Sequence, residues 1–167
     1  MTEMKFCPYC GTQLILKKIE GRKRLTCPRE DCPYVFWDNP LPVVAALIEY
    51  DGKVLLARNK AWPEKIFALI TGFLEKGETP EAAISREIRE ELDLDVKAVS
   101  LIGLYAFFEQ NQLIIAYHVV CTGSITLGDE LAETKLIPVE KLRPWPFGTG
   151  LAIRDWLEKR KNAPAAQ

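Results

Sequence analysis

The stretch Arg86-Glu87-Ile88-Arg89-Glu90-Glu91-Leu92-Asp93-Leu94 carries six charges, three of them glutamates at positions i, i+3 and i+4. On a helix that spacing puts Glu87, Glu90 and Glu91 on one face. Like charges so placed cost the helix about 0.2–0.5 kcal/mol per pair. A hard divalent cation offsets the cost, because Mg²⁺ takes a few carboxylate oxygens and fills its octahedron with waters and substrate phosphates. The acidic run points to a metal before it points to an anionic partner.

A second constellation lies near the start of the chain: Cys7-Pro-Tyr-Cys10 and Cys27-Pro-Arg-Glu-Asp-Cys32, with sixteen residues between the pairs. Cysteine pairs with such gaps make tight turns that aim four thiolates at one zinc ion. Pro8, Gly11 and Pro28 supply the turn chemistry. The rival reading is two disulfides, which a reducing compartment disfavours. Four protein ligands leave no position open to a substrate, so this Zn²⁺ is expected to be structural, stapling a core too small to hold itself. Cys121 and His118, in the apolar run "LIIAYHVVC", read as a packed thiol and a structural imidazole.

The chain has 167 residues, room for one domain plus a small appendage, with 48% hydrophobic and 27% charged residues. No apolar run approaches bilayer length. The opening "MTEMKFCPYC" lacks a secretory layout, so a cytoplasmic location is expected and a membrane is not. Net charge is −1, too weak a field to hold a nucleic-acid backbone, and no nucleic-acid partner is expected. The basic run Arg22-Lys23-Arg24 reads as a solvated hairpin tip.

The elements that must position these groups follow from pattern. "TQLILKKIEGRKRLTC" reads as two strands reversing near Glu20-Gly21, a zinc ribbon over residues 1–37. From residue 38 to 162 a larger domain is expected, with a flexible tail at 163–167. Its strands are expected at "NPLPVVAALIEY", Lys53–Arg58 after an Asp51-Gly52 turn, "KIFALITGF", Ala98–Phe108, Leu113–Cys121 and Lys135–Pro138. One helix starts with Thr79 as N-cap and Pro80 at the first position and runs to about Leu92. A second spans about Gly150 to Lys161. At 100° per residue, with Glu87 at zero, Glu91 falls at about 40° and Glu90 at about 300°, while Ile84, Ile88 and Leu92 occupy about 60–140°. The helix therefore buries an aliphatic stripe and presents its glutamates beside a cavity. Both arginines are expected on the outer side, leaving the glutamates unpaired. Mixed strands with two helices give an α/β fold.

Gly72, Glu78 and the run Arg86 to Leu94 together resemble the Nudix box, GX5EX7REUXEEXGU with U aliphatic. Eight of its nine specified positions agree across 23 residues; Asp93 stands where the box has glycine. The resemblance implies an α/β/α Nudix sandwich with a mixed sheet. It also implies Mg²⁺-dependent (or Mn²⁺-dependent) hydrolysis of a nucleoside diphosphate linked to another moiety. By the match, Glu87, Glu90, Glu91 and the Gly72 carbonyl would hold the metal, and a glutamate would take the proton of the attacking water. Glu78 and Arg86 would brace loop against helix. The late segment "DELAETKLIPVEKL" resembles one that often adds a glutamate to the site; Glu133 is the candidate and Glu130 the alternate. Arg58, Phe73 and Trp62 are candidate substrate contacts, and Tyr105, Phe107, Phe108 and Trp145 could stack on a base.

A zinc ribbon before a Nudix domain resembles the NADH pyrophosphatase group. The letters "WPF" at Trp145–Phe147 occur in that group's NADH-selective array, SQPWPFPxS. Here they stand some fifty residues beyond the box rather than just after it, so NADH, ADP-ribose, FAD or a similar conjugate all stay open as substrate. A non-catalytic nucleotide sensor whose zinc ribbon binds a partner or nucleic acid is the alternative reading. The resemblance is compatible with a homodimer.

Overall fold

Alternation along one apolar strand decides the layering. In the computed structural model, which describes residues 4–162, the segment Leu41–Tyr50 is buried on both faces from Val43 to Ile48. Val44, Ala46 and Ile48 join one core cluster; Ala45 and Leu47 join another. Successive side chains of a strand point to opposite faces, so one strand separates two cores.

The described residues form nine strands and two α-helices: β1 Ile15–Ile19, β2 Arg22–Thr26, β3 Val35–Phe36, β4 Leu41–Tyr50, β5 Lys53–Asn59, β6 Ile70–Phe73, α1 Pro80–Leu92, β7 Asp95–Phe107, β8 Gln112–Thr122, β9 Leu131–Pro138 and α2 Gly150–Asn162. The chain divides into two compact units, Met1–Asn39 and Pro40–Gln167. The first holds a three-stranded antiparallel sheet in the order β1-β2-β3. The second holds a mixed sheet in the order β7-β8-β4-β5-β9, with β6 pairing β4. Strands β4 and β8 run parallel, and the remaining pairs are antiparallel. Helix α1 covers one face through Ala83, Ile84, Ile88 and Leu92; α2 covers the other through Ala152, Ile153 and Trp156. This is the expected α/β/α sandwich. The tail expected at 163–167 lies outside the described residues.

Three elements differ from the sequence reading. The strand read from "KIFALITGF" shrinks to Ile70–Phe73, with one isolated bridge between Ala57 and Ala68. Pro63 lacks a donor for a ladder, and its carbonyl instead caps a turn through Ile66 N–H. The last strand begins at Leu131, four residues early, because polar Glu133 and Thr134 pair with Arg58 and Ala57 as readily as apolar residues do. The short strand β3 had no periodicity to reveal it.

Helix α1 obeys its signals closely. Thr79 caps it, accepting from Ala82 N–H at 3.2 Å, and Pro80 opens it. At its end Asp93 adopts the left-handed conformation, φ 53° and ψ 33°, where the box has glycine. Burying Ile84, Ile88 and Leu92 stabilises the fold by about 1.5–3 kcal/mol each, far more than the glutamate repulsion costs. Packing fixes this helix; charge does not. At position 93, Asp93→Gly should raise the unfolding free energy by about 1 kcal/mol in urea denaturation, by removing left-handed strain. Asp93→Val should lower it, since a β-branched residue fits that conformation badly.

Candidate active site

Gly72 sits on β6 opposite Val44 of β4, and α1 crosses above it. A Cβ there would fall 1.9 Å from Glu87 Cδ, so glycine is what lets this glutamate lie against the strand. Glu87, Glu90, Glu91, Gly72 and Phe73 line one cleft of about 540 Å³, together with Asp129 and Glu130.

Glu130 arrives by a specific route. The last carbonyls of an α-helix lack intrahelical donors. Here Gly128 N–H donates to Glu91 O at 2.8 Å and Thr126 N–H to Leu92 O at 2.9 Å, which drapes the 123–130 loop across the end of α1. A Cβ at Gly128 would stand 2.5 Å from the Glu90 carbonyl oxygen, so the close crossing also needs glycine. The loop is tied from its far side as well. Lys60 N–H donates to Glu130 O at 2.8 Å, Lys60 Nζ to Asp129 O at 2.6 Å, and Asn59 Nδ2 to Glu130 Oε2 at 3.4 Å. These two residues were missed in the sequence, where nothing marks the turn after β5 as an anchor.

Glu133, the first choice for this role, is on the wrong face. It pairs in register with Arg58, whose neighbours Leu56 and Ala57 belong to the α2-side and α1-side cores respectively. Alternation therefore turns Arg58 and Glu133 toward the α2 side, where Arg58 Nε donates to Glu133 Oε1 at 2.9 Å. Neither lines the acidic cleft. The candidacy passes to Glu130, and Arg58 is occupied by Glu133 rather than free for a phosphate.

The expectation that both arginines leave the glutamates unpaired is half wrong. Arg89 does turn outward, to Asp93 at 3.3 Å and Asp95 at 2.9 Å. Arg86 instead sits in the acidic ridge. It grips Glu78 with two nitrogens at 2.8 and 3.2 Å, and its Nη1 reaches Glu87 Oε1 at 2.7 Å and Glu90 Oε2 at 3.2 Å. A wheel diagram places Cα positions; it does not show how far a guanidinium reaches along the axis. Arg86 Nη2 also donates to Phe73 O at 3.2 Å, and Glu75 N–H donates to Glu78 Oε1 at 2.8 Å, so loop and helix are joined through one ion pair. Glu78 is held below the usual carboxylate range, first by Arg86 and then by the Glu75 amide.

Glu91 has no such partner among the described residues. Burial first, then the charges of Glu87, Glu130 and Glu90, push its carboxyl up to about 7. Glu87 is also raised by burial, although Arg86 pulls against it. The cleft thus holds more negative charge than its one guanidinium balances. One oxygen each of Glu87 and Glu90 stays clear of Arg86, and the donor set is all oxygen, which suits a hard divalent cation.

A second cleft, of about 460 Å³, adjoins the first and shares Val43, Thr71 and Gln112 with it. Its walls are apolar: Trp62, Phe67, Phe107, Trp145 and Phe147, with Phe107 and Phe147 stacked at 6.4 Å between ring centroids. Of the aromatic candidates, Tyr105 is not here; it is buried in the α2-side core, donating to Asp155 Oδ2 at 2.9 Å. Phe108 lines neither cleft and is 86% exposed. The "WPF" letters therefore shape a ring-sized cleft beside the acidic one.

In the first unit the four Sγ atoms of Cys7, Cys10, Cys27 and Cys32 lie within 4.8 Å of one another. The separations Cys7–Cys32, 3.6 Å, and Cys10–Cys27, 3.5 Å, are close to the edge of a tetrahedron of zinc thiolates, about 3.8 Å for bonds of about 2.3 Å. All four are free thiols. Cys121 is a buried thiol pushed up to about 11 by burial, and His118 Nε2 lies 2.9 Å from Glu49 Oε2.

Comparison with known proteins agrees with this geometry. NAD-capped RNA hydrolase NudC of Pseudomonas putida is 26% identical over 152 residues, covering 90% of this chain and 54% of that protein. The protein of the same name from Mycobacterium tuberculosis is 40% identical over 127 residues, covering 69% of this chain and 36% of that one. This chain thus spans about half the length, or less, of these curated relatives. The crystal structure of a NUDIX hydrolase from Nitrosomonas europaea superposes with a TM-score of 0.78 at 27% identity, covering 98% of this chain and 96% of that one. An ADP-ribose pyrophosphatase from Streptococcus suis, at 17% identity and a TM-score of 0.61 over 74% of this chain and 93% of that one, shares the fold. The NUDIX domain pattern matches residues 39–158, the span that holds both clefts, and the chain belongs to that family.

Proposed function

We propose that this chain is a divalent-metal-dependent pyrophosphohydrolase that cleaves a nucleoside diphosphate linked to another moiety and releases a nucleoside monophosphate. One observation carries the reading: Glu87, Glu90, Glu91 and Glu130 converge on a single cleft whose one arginine cannot neutralise them. These four carboxylates and the Gly72 carbonyl would hold Mg²⁺ or Mn²⁺. When bound, the cation neutralises the pyrophosphate and acidifies a coordinated water. The protein's part is to bind and orient. Arg86, fixed by Glu78, holds Glu87 and Glu90 in place. Glu91, buried and without a guanidinium partner among the described residues, would take the proton of the attacking water through an oxygen not committed to the cation. Water adds to one phosphorus, the bridging P–O bond breaks, and each half leaves as a phosphomonoester.

The aromatic cleft takes a ring of one half of the substrate, with Trp62, Phe107 and Trp145 as its walls and Phe73 at the acidic side. NADH, ADP-ribose and FAD fit this description. So does the 5′ end of an NAD-capped RNA, the substrate for which the NudC relatives are named. Cys7, Cys10, Cys27 and Cys32 hold a structural Zn²⁺. Four zinc-held thiolates and the buried Cys121 thiol suit a reducing compartment, and a cytoplasmic location is part of this proposal.

Incubation with Mg²⁺ and a panel of NADH, NAD, FAD, ADP-ribose and a 5′-NAD RNA, followed by chromatography, should show monophosphate release from at least one member. Glu91→Gln should lower kcat by about 10²–10⁴-fold. No turnover of any member, with tight nucleotide binding retained, would contradict the enzyme. The metal-free protein gives an independent check. Glu91 has a folded-state pKa above its ordinary 4.5, so its contribution to stability is full below about 4.5 and is lost as pH rises through about 7. Without divalent cation, Glu91→Gln should therefore melt several degrees above the unaltered protein at pH 8, at about 2–4 °C per kcal/mol relieved, and level with it at pH 4.5. Elemental analysis should find one zinc per chain, lost in Cys27→Ser; a folded, metal-free ribbon would contradict the zinc assignment.

A further inference from the structure

The first unit carries a charge pattern that the hydrolase reading leaves unused. In the β1–β2 register Lys17 faces Arg24 and Lys18 faces Lys23, two like-charge pairs directly opposite, one on each face of the ribbon. Such pairs destabilise a sheet. Between Ile15 and Thr26 the sole carboxylate is Glu20, at the turn. Among the described residues Lys17, Lys18, Arg22 and Lys23 have no ion-pair partner. Beside them Arg24 stacks over the Trp37 ring at 4.7 Å and donates to the Trp37 carbonyl, while Trp37 as a whole stays 42% exposed. Lysines on β1 alone would be explained as protection of a sheet edge. Edge protection does not require the cations of the two strands to stand directly opposite one another, where each pair repels across the ladder.

We propose that this hairpin is a docking surface for single-stranded RNA, with Lys17, Lys18, Arg22, Lys23 and Arg24 taking phosphates and Trp37 stacking a base. A strand of phosphates supplies the missing counter-charge at a regular spacing, and an exposed ring beside a cationic groove is how such strands are held without sequence choice. A flexible strand can follow cations on two faces of a ribbon, which a flat lipid surface cannot. The choice of RNA over DNA rests on the capped-RNA substrate reading above; the phosphate chemistry is common to both.

The test uses the full chain and a 3′-fluorescein, 5′-hydroxyl, unstructured RNA 20-mer, followed by anisotropy. This probe has no pyrophosphate, so its binding is separate from the fate of the hydrolase reading. Expected are a slope of log K against log salt of about −3, at about 0.7 per phosphate contact, and at least a tenfold loss of affinity in the combined K17Q/K18Q/R22Q/K23Q variant. Trp37→Ala should weaken binding about tenfold with the slope unchanged. The quadruple variant should keep its zinc and its hydrolysis of a small dinucleotide. A salt slope near zero in the unaltered chain, equal binding by the quadruple variant, tighter binding of the matching DNA, or stronger binding to phosphatidylserine vesicles than to RNA would each overturn the proposal.

Discussion

Crowded negative charge in a half-buried cleft is the constraint on which the rest of this structure turns. Six carboxylate residues, Glu87, Glu90, Glu91 and Glu130 among them, line one cleft with a single guanidinium, and that guanidinium is committed first to Glu78. In water such repulsion is small; beside a buried helix face it is larger, because the effective dielectric falls. Glu91 shows the combined effect most: burial first, then the neighbouring charges, push its carboxyl up to about 7. A fold keeps such an arrangement when other forces pin it.

Those forces are identifiable. The aliphatic side of α1 is buried in the core it shares with β4, and that packing leaves the helix no freedom to rotate its glutamates away. Gly72 removes the one side chain that would keep Glu87 off the strand. Hydrogen bonds from Gly128 and Thr126 to the end of α1 bring in Glu130, and the turn at Asn59 and Lys60 holds that loop from behind. The electrostatic cost is thus imposed by packing and backbone bonding that are far stronger. The same sheet, on its far side, helps wall the aromatic cleft, so the acidic and aromatic clefts adjoin across β4 and β8.

Much of this was legible from residues. The spacing of Glu87, Glu90 and Glu91 against Ile84, Ile88 and Leu92 gave the orientation of α1, because helical geometry is local. Thr79 and Pro80 marked its start for the same reason. Three points were not legible. The pairing of Arg86 with Glu87 and Glu90 depends on a rotamer, which periodicity does not encode. The choice of Glu130 over Glu133 depends on which face β9 presents, and that is set by its register with β5, where Glu133 stands opposite Arg58. The anchoring by Asn59 and Lys60 is a contact between residues some seventy positions apart. What was missed is long-range; what was seen is local.

The account rests on a cation in the acidic cleft, and a crystal of the full chain soaked in Mn²⁺ would decide it directly. The expected result is an anomalous difference peak among Glu87, Glu90, Glu91, Glu130 and the Gly72 carbonyl, at oxygen distances of about 2.0–2.3 Å, absent in Glu91→Gln. A cleft without a peak at millimolar Mn²⁺, or a peak unmoved by that substitution, would contradict it.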